Sequence, residues 1–182
     1  MAGPLAWRLG ARVPDRDYRV FKTAFVDGEH PRGGAPKRFS LIEAVDWVNV
    51  IALTTDQRVV LIRQFRPGAD EVCLEIPGGM VDPGEAPEVA AARELAEETG
   101  YTSARWERLG VVSPNPAIMT NRLHSYLAHD CAPGAQHLEG SEVIDVETAP
   151  LADCRAALVA GRIDHALVVA AFGHLAFRTW LP

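Results

Sequence analysis

The spacing of apolar residues changes character along this chain, and the changes divide it into elements. From Asp17 to Val26 the alternation Tyr18, Val20, Lys22, Ala24, Val26 has the period of two that predicts a strand. His30 to Pro36 is a Gly/Pro-rich loop, after which Lys37 to Val45 is expected to return as a hairpin partner. Val48 to Leu53 and Arg58 to Phe65 are apolar runs joined by Thr54-Thr55-Asp56-Gln57, a connection suited to a tight hairpin. Further strands are predicted at Glu71 to Ile76, Arg105 to Ser113, Asn121 to His129 and Glu142 to Val146. Between them, Ser113-Pro114-Asn115-Pro116-Ala117 is too rich in proline for a central strand, and Gly134 to Gly140 reads as a loop. Two helices close the chain, Pro150 to Ala160 and Asp164 to Trp180, the second with Asp164 as its expected N-cap and an almost wholly apolar face.

One stretch stands apart from these periods. Ile76-Pro77-Gly78-Gly79-Met80-Val81-Asp82-Pro83-Gly84-Glu85 is a glycine- and proline-rich turn that opens a short helix. Pro87 suits a first helical position and Gly100 a left-handed C-terminal cap, so the helix is sharply bounded. Glu94, Glu97 and Glu98 fall three and four positions apart and therefore project from one face. They also lie near the helix C-terminus, where the dipole disfavours negative charge, so a positive group is expected to compensate them. Hard carboxylate oxygens beside the carbonyls of a glycine turn suit Mg²⁺ or Mn²⁺.

Composition narrows the context. A chain of 182 residues, 48% of them hydrophobic, is long enough for one well-buried core and is read as a single domain spanning 1–182. A net charge of −6 argues against a surface that neutralises nucleic-acid phosphates, so phosphate recognition has to be local and metal-assisted. Cys73, Cys131 and Cys154 are odd in number and widely spaced, which reads as free thiols in a reducing compartment. Met1 to Gly10 has no signal-peptide pattern and no stretch reaches membrane-spanning length, so a cytoplasmic protein without membrane partners is expected.

The glycine turn and its helix resemble the Nudix hydrolase signature. Gly79, five residues, Glu85, seven residues, Arg93-Glu94-Leu95, one residue, Glu97-Glu98, then Thr99 and Gly100 match it, with Tyr101 in place of the usual aliphatic residue. Arg63-Gln64-Phe65-Arg66-Pro67 is similar to a segment of ADP-ribose and nucleotide-sugar pyrophosphatases in which the second arginine reaches the substrate. Pro116 falls near where that branch carries a proline, within Ser-Pro-Asn-Pro-Ala instead of the usual Ser-Pro-Gly.

The resemblance implies an α/β (α+β) fold of the Nudix type, an α/β/α sandwich with a mixed central sheet, in which 1–45 is an N-terminal β-hairpin extension and 46–182 the core. It implies a metal-dependent hydrolase that cleaves the pyrophosphate bond of ADP-ribose or a nucleoside diphosphate sugar. The alternatives are a nucleoside triphosphate pyrophosphohydrolase and a non-catalytic ligand-sensing Nudix domain. By resemblance Glu94, Glu98, Glu97 and the Gly78 carbonyl would hold Mg²⁺ or Mn²⁺, with Glu97 also able to orient water. Arg93 and Glu85 would support the loop on the helix, and Glu142, with Glu139 in reserve, would be the general base. Arg66 would bind the substrate, and Phe21, Phe25 or Trp47 would stack on a base. Packing of the N-terminal hairpin across a two-fold would make the protein a homodimer.

Overall fold

The computed structural model describes residues 5–180. Its elements are the strands β1 (Arg8–Asp17), β2 (Lys22–Glu29), β3 (Lys37–Glu43), β4 (Trp47–Thr54), β5 (Arg58–Arg66) and β6 (Glu71–Glu75), then helix α1 (Pro87–Thr99). Strands β7 (Arg105–Val112), β8 (Leu123–Cys131) and β9 (Ile144–Pro150) and helices α2 (Leu151–Val159) and α3 (Ala166–Trp180) follow. They group into two compact units, Met1–Val45 with Ser113–Asn121, and Asp46–Val112 with Arg122–Pro182.

The first unit is a three-stranded antiparallel sheet in the order β1-β2-β3. Here the strand expected from Asp17 to Val26 is corrected. Asp17 Oδ1 accepts the Arg19 N–H at 2.9 Å, Arg19 takes φ 71°, and Tyr18 stacks on Phe21 with ring centroids 4.9 Å apart. Such an aspartate-led turn ends one strand and begins the next, so Arg8 to Asp17, for which the sequence suggested no element, pairs with Lys22 to Glu29. The proline-rich segment carries no strand, as its composition predicts. It runs alongside β3 through the Ile42 N–H bonded to the Ile118 carbonyl and the Thr120 N–H bonded to the Ile42 carbonyl.

The second unit is a six-stranded mixed sheet, β6-β5-β4-β8-β7 with β9 on β5. Its apolar runs are strands buried on both faces. Val48, Val50 and Ala52 of β4 pack with Ala90, Ala91 and Leu95 of α1, while Ile51 and Leu53 pack with Cys154 and Ala157 of α2 and Val168, Ala171 and Phe172 of α3. Helices therefore cover both faces, as the alternation of Cβ directions along a strand requires. Two boundaries differ from expectation. Strand β9 begins at Ile144 and not at Glu142, because the Glu142 N–H bonds the Glu139 carbonyl and holds a turn. Helix α3 is preceded by His165, whose carbonyl accepts the Val168 and Val169 N–H groups, so Asp164 is not its N-cap.

A fork in the sheet positions everything that follows. Strands β4 and β5 pair only beside their hairpin, at Leu53 and Val59, and then diverge as β5 pairs with β6. Into the opening runs the glycine turn. The Val48 N–H bonds the Gly79 carbonyl, the Gly79 N–H bonds the Val48 carbonyl, the Val50 N–H bonds the Pro77 carbonyl and the Val81 N–H bonds the Asp46 carbonyl, at 2.9 to 3.1 Å. A Cβ on Gly78 would stand 2.3 Å from the Val48 carbonyl oxygen and 2.8 Å from the Asn49 Cα, neither of which can swing aside. Gly78→Ala is therefore expected to destabilise by about 2 kcal/mol or more, a fall in Tm of roughly 4–8 °C for a chain of this size. An unchanged thermal melt would show that the turn has room to shift off β4.

Candidate active site

Helix α1 is bounded as its sequence predicts. Pro87 stands at its start, Gly100 takes φ 75° at its end, and the Gly100 N–H reaches the Ala96 carbonyl. Burying Ala90, Ala91 and Leu95 against the sheet fixes the helix rotation and turns Glu94 and Glu98 toward the glycine turn. Glu98 is 4% exposed and its Oε2 accepts the Gly78 N–H at 2.8 Å. A Cβ on Gly79 would stand 2.3 Å from Glu94 Oε1, so the second glycine leaves room for that carboxylate. Because Pro77 and Gly79 direct their carbonyls at β4, strand alternation turns the N–H and carbonyl of Gly78 to the opposite side, toward α1.

Arg93 binds this loop to the helix. Its Nε and Nη2 donate to both oxygens of Glu85 at 3.1 and 3.0 Å, Nη2 also donates to the Met80 carbonyl, and Nη1 donates to Glu94 and Glu97 at 3.0 and 3.1 Å. The Glu85 pair, foremost, raises the Arg93 pKa, and that of Glu85 is correspondingly lowered by Arg93. The carboxylates facing inward behave oppositely. Burial foremost, with repulsion from Glu94 and Glu142 and against the Gly78 N–H, pushes Glu98 up to about 8. Burial likewise raises Glu94, with Arg93 opposing.

Mutual repulsion among buried carboxylates beside a free-facing backbone carbonyl is the donor set a hard divalent cation satisfies. Glu94, Glu97, Glu98 and the Gly78 carbonyl thus fit Mg²⁺ or Mn²⁺. Among the described residues the side chains do not already converge as a cage; Arg93 holds Glu94 and Glu97, and ligation would exchange those bonds.

Glu142 and Glu139 lie in the exposed segment before β9, where Glu142 Oε2 accepts the Glu139 N–H at 3.1 Å. The Glu142 charge acts on both helix carboxylates, raising the pKa of Glu94 and of Glu98. His124 and His129, also on a predicted strand, face Asp46 at 2.9 Å and Glu107 at 3.5 Å.

On the other side of the glycine turn is a cleft of about 290 Å³ whose walls include Trp47, Asn49, Arg66, Glu75, Met80 and His165. Arg66 forks Nε and Nη2 onto the buried Glu75 at 2.7 and 2.9 Å, and His165 Nδ1 stands 3.2 Å from Glu75 Oε2. Burial alone would raise the Glu75 pKa, but Arg66 and then His165 reverse this and hold it down at about 2. Trp47, read from the sequence as a candidate base-stacking residue, lines this cleft. Phe21, half-buried in the β1–β2 turn, and Phe25, on β2 with the Arg38 guanidinium over its ring, belong to the first unit. Sequence reasoning passed over Asn49, Glu75 and His165. A polar residue inside the apolar run Val48 to Leu53, and an acid directly before the glycine turn, were the available signals.

The Glu75 pair carries a pH dependence with a definite sign. A carboxyl held at about 2 in the fold against an ordinary 4.5 stabilises the protein above pH 4.5, and that stabilisation is lost as pH falls from 4.5 toward 2. Thermal melts of the parent and Glu75→Gln should therefore differ most above pH 4.5 and converge near pH 2. A gap that stays constant with pH would contradict the pairing.

The NUDIX domain family model matches residues 45–172. An ADP-ribose pyrophosphatase of Bacillus subtilis (strain 168) is 31% identical over 137 residues, 74% of each chain. A methanol dehydrogenase activator of Bacillus methanolicus is 34% identical over 130 residues, 70% of each chain. A crystal structure of an ADP compounds hydrolase superposes with a TM-score of 0.83 at 24% identity, covering 99% of this chain and 97% of that one.

Proposed function

This chain belongs to the Nudix family, and from that premise we propose that it hydrolyses the pyrophosphate bond of ADP-ribose or a related nucleoside diphosphate sugar, releasing a nucleoside monophosphate and a sugar phosphate. The observation that carries the reading is the juxtaposition of Glu94 and Glu98 with the Gly78 backbone at the sheet fork, backed by Arg93 and Glu85. The ADP-ribose pyrophosphatase that matches across 74% of the chain supports the substrate class.

A phosphoanhydride resists attack because its own oxygens repel the nucleophile. What a divalent cation supplies, held by Glu94, Glu97, Glu98 and the Gly78 carbonyl, is neutralisation of that charge and a more acidic water. The remaining work belongs to the protein. Arg93 fixes the Glu85 loop against the helix so that the carboxylates keep their spacing. Glu142 accepts the proton of the attacking water, and the segment from 133 to 143 brings it in. Arg66 keeps Nη1 beyond its fork on Glu75 and donates it to the substrate.

Product analysis with ADP-ribose and Mg²⁺ or Mn²⁺ tests this: AMP and ribose 5-phosphate are expected in equal amounts, and preferential turnover of nucleoside triphosphates would overturn the substrate class. Glu98→Gln should lower kcat by at least about a hundredfold, since losing even a group that only supports a ligand costs roughly 10- to 100-fold. Glu142→Gln should lower it by about 10² to 10⁴ while leaving metal affinity within a few-fold, with Glu139→Gln less harmful. Loss of metal affinity in Glu142→Gln as large as in Glu98→Gln would move Glu142 from base to ligand.

A homodimer is also proposed. Strand β1 is exposed along its whole length, including Leu9 and Val13, each more than half exposed, an apolar surface suited to a second copy about a two-fold. Light scattering at micromolar concentration should give twice the chain mass; a monomer mass would refute it.

A further inference from the structure

The cleft beside the glycine turn contains an acceptor that the protein itself leaves unpaired. Asn49 projects from β4 on the α3 side of the sheet, is 5% exposed, and lines the cleft with Trp47, Arg66 and His165. Its Nδ2 donates to the Leu167 carbonyl at 2.9 Å. That bond fixes the amide, since the reversed orientation would set Oδ1 against a second acceptor. Asn49 Oδ1 is then buried without a hydrogen-bond partner among the described residues. Leaving a buried acceptor unmade is costly, and the bond from Nδ2 to Leu167 satisfies only the donor half of the amide.

The partner missing from Oδ1 must be a donor, and the position of the cleft says which part of a ligand brings it. Gly78 and Gly79 border the cleft on one side and meet Glu98 and Glu94 on the other, so one thickness of backbone separates the cleft from the carboxylates. A group so close to the cleaved bond is the one joined directly to phosphate. In ADP-ribose that group is a pentose on either side of the diphosphate, whereas the base lies one ring further away. A pentose presents hydroxyls that donate as well as accept. Asn49 Oδ1 supplies the acceptor, and Arg66 Nη1 stands on the same cleft as a donor, with Nε and Nη2 committed to Glu75.

The geometry points to Asn49 as a specificity-determining residue of the hydrolase, with its Oδ1 accepting a hydrogen bond from a hydroxyl of the phosphate-linked pentose. This rests on the substrate class proposed above. Ser125, the register neighbour of Asn49 on β8, also has a buried unpartnered Oγ but does not line the cleft, and so provides a control.

The test separates binding from turnover. Dissociation constants for a non-hydrolysable ADP-ribose carrying a methylene group between its two phosphorus atoms, and for its single-deoxy analogues on either pentose, are measured by calorimetry with Mg²⁺, using the intact protein, Asn49→Val and Ser125→Ala. Turnover of ADP-ribose by the intact protein with metal is recorded separately and reports on the substrate class alone. Asn49→Val is expected to weaken the methylene-bridged ADP-ribose by about ten- to a hundredfold, the range of one hydrogen bond left unmade in a buried site. One deoxy analogue should bind the intact protein that much more weakly and show no further loss with Asn49→Val. Ser125→Ala should stay within about twofold of the parent. Losses that add independently for every analogue, an unchanged affinity in Asn49→Val, no binding to the intact protein, or an equal effect of Ser125→Ala through a shared internal water would each overturn the assignment. Should Asn49→Val fail to fold, the analogue series on the intact protein decides, since equal affinity for all analogues is itself a refutation.

Discussion

Four backbone hydrogen bonds hold residues 77 to 81 against the edge of β4 that the sheet fork exposes, and the site is built outward from them. They demand a separation that no side chain tolerates at Gly78. Once made, they turn the next N–H and carbonyl toward α1, where Glu98 meets them. The same approach closes the cleft on the far face. One strip of main chain thus serves as the floor of one site and the wall of another. Sheet divergence, which elsewhere would leave unpaired peptide groups, is the means by which polar backbone reaches the middle of the core.

The electrostatics run against stability, and the sequence contains the means of limiting the damage. Glu94 and Glu98 sit at the negative end of a helix dipole and are largely buried, so the charged site is a strained one in the absence of a compensating cation. Arg93 offsets part of this by touching Glu85, Glu94 and Glu97 at once. On the opposite face Glu75 is treated differently. Arg66 and His165 pair it so closely that its charge is retained at almost any pH the protein meets. The two faces of the glycine turn therefore carry one set of carboxylates short of positive partners and one already matched.

Much of this was legible in the sequence because it depends on local rules. Pro87 and Gly100 bound α1 by backbone chemistry, and the spacing of Glu94, Glu97 and Glu98 places them on one face whatever the rest of the chain does. The long apolar runs are strands since they are covered twice. Where reading failed, the deciding contact was not visible in the local pattern. An aspartate-led turn at Asp17 outweighed alternating polarity and shifted the first strand. His165 precedes α3 where Asp164 was expected, in keeping with the contact of His165 with Glu75, a residue ninety positions away in sequence. The cleft is tertiary in the same way: Asn49 is an anomaly in a strand until Leu167 and Arg66 arrive from distant segments.

Strand β5 has a particular consequence for how the chain comes to be folded. One of its edges is shared between β4 and β6, which are its sequence neighbours, but the other is occupied by β9, with Arg58 opposite Pro150 and Gln64 opposite Ile144. During synthesis that second edge has nothing to pair with until some eighty further residues have left the ribosome. It is a run of Val59, Val60, Leu61 and Ile62, an open adhesive edge of the kind that joins chains to one another. The nascent protein passes through this interval on every ribosome, and a high local density of ribosomes would turn it into aggregation. A chain truncated before β9 should be sticky in proportion, even though its hydrolase signature would be complete.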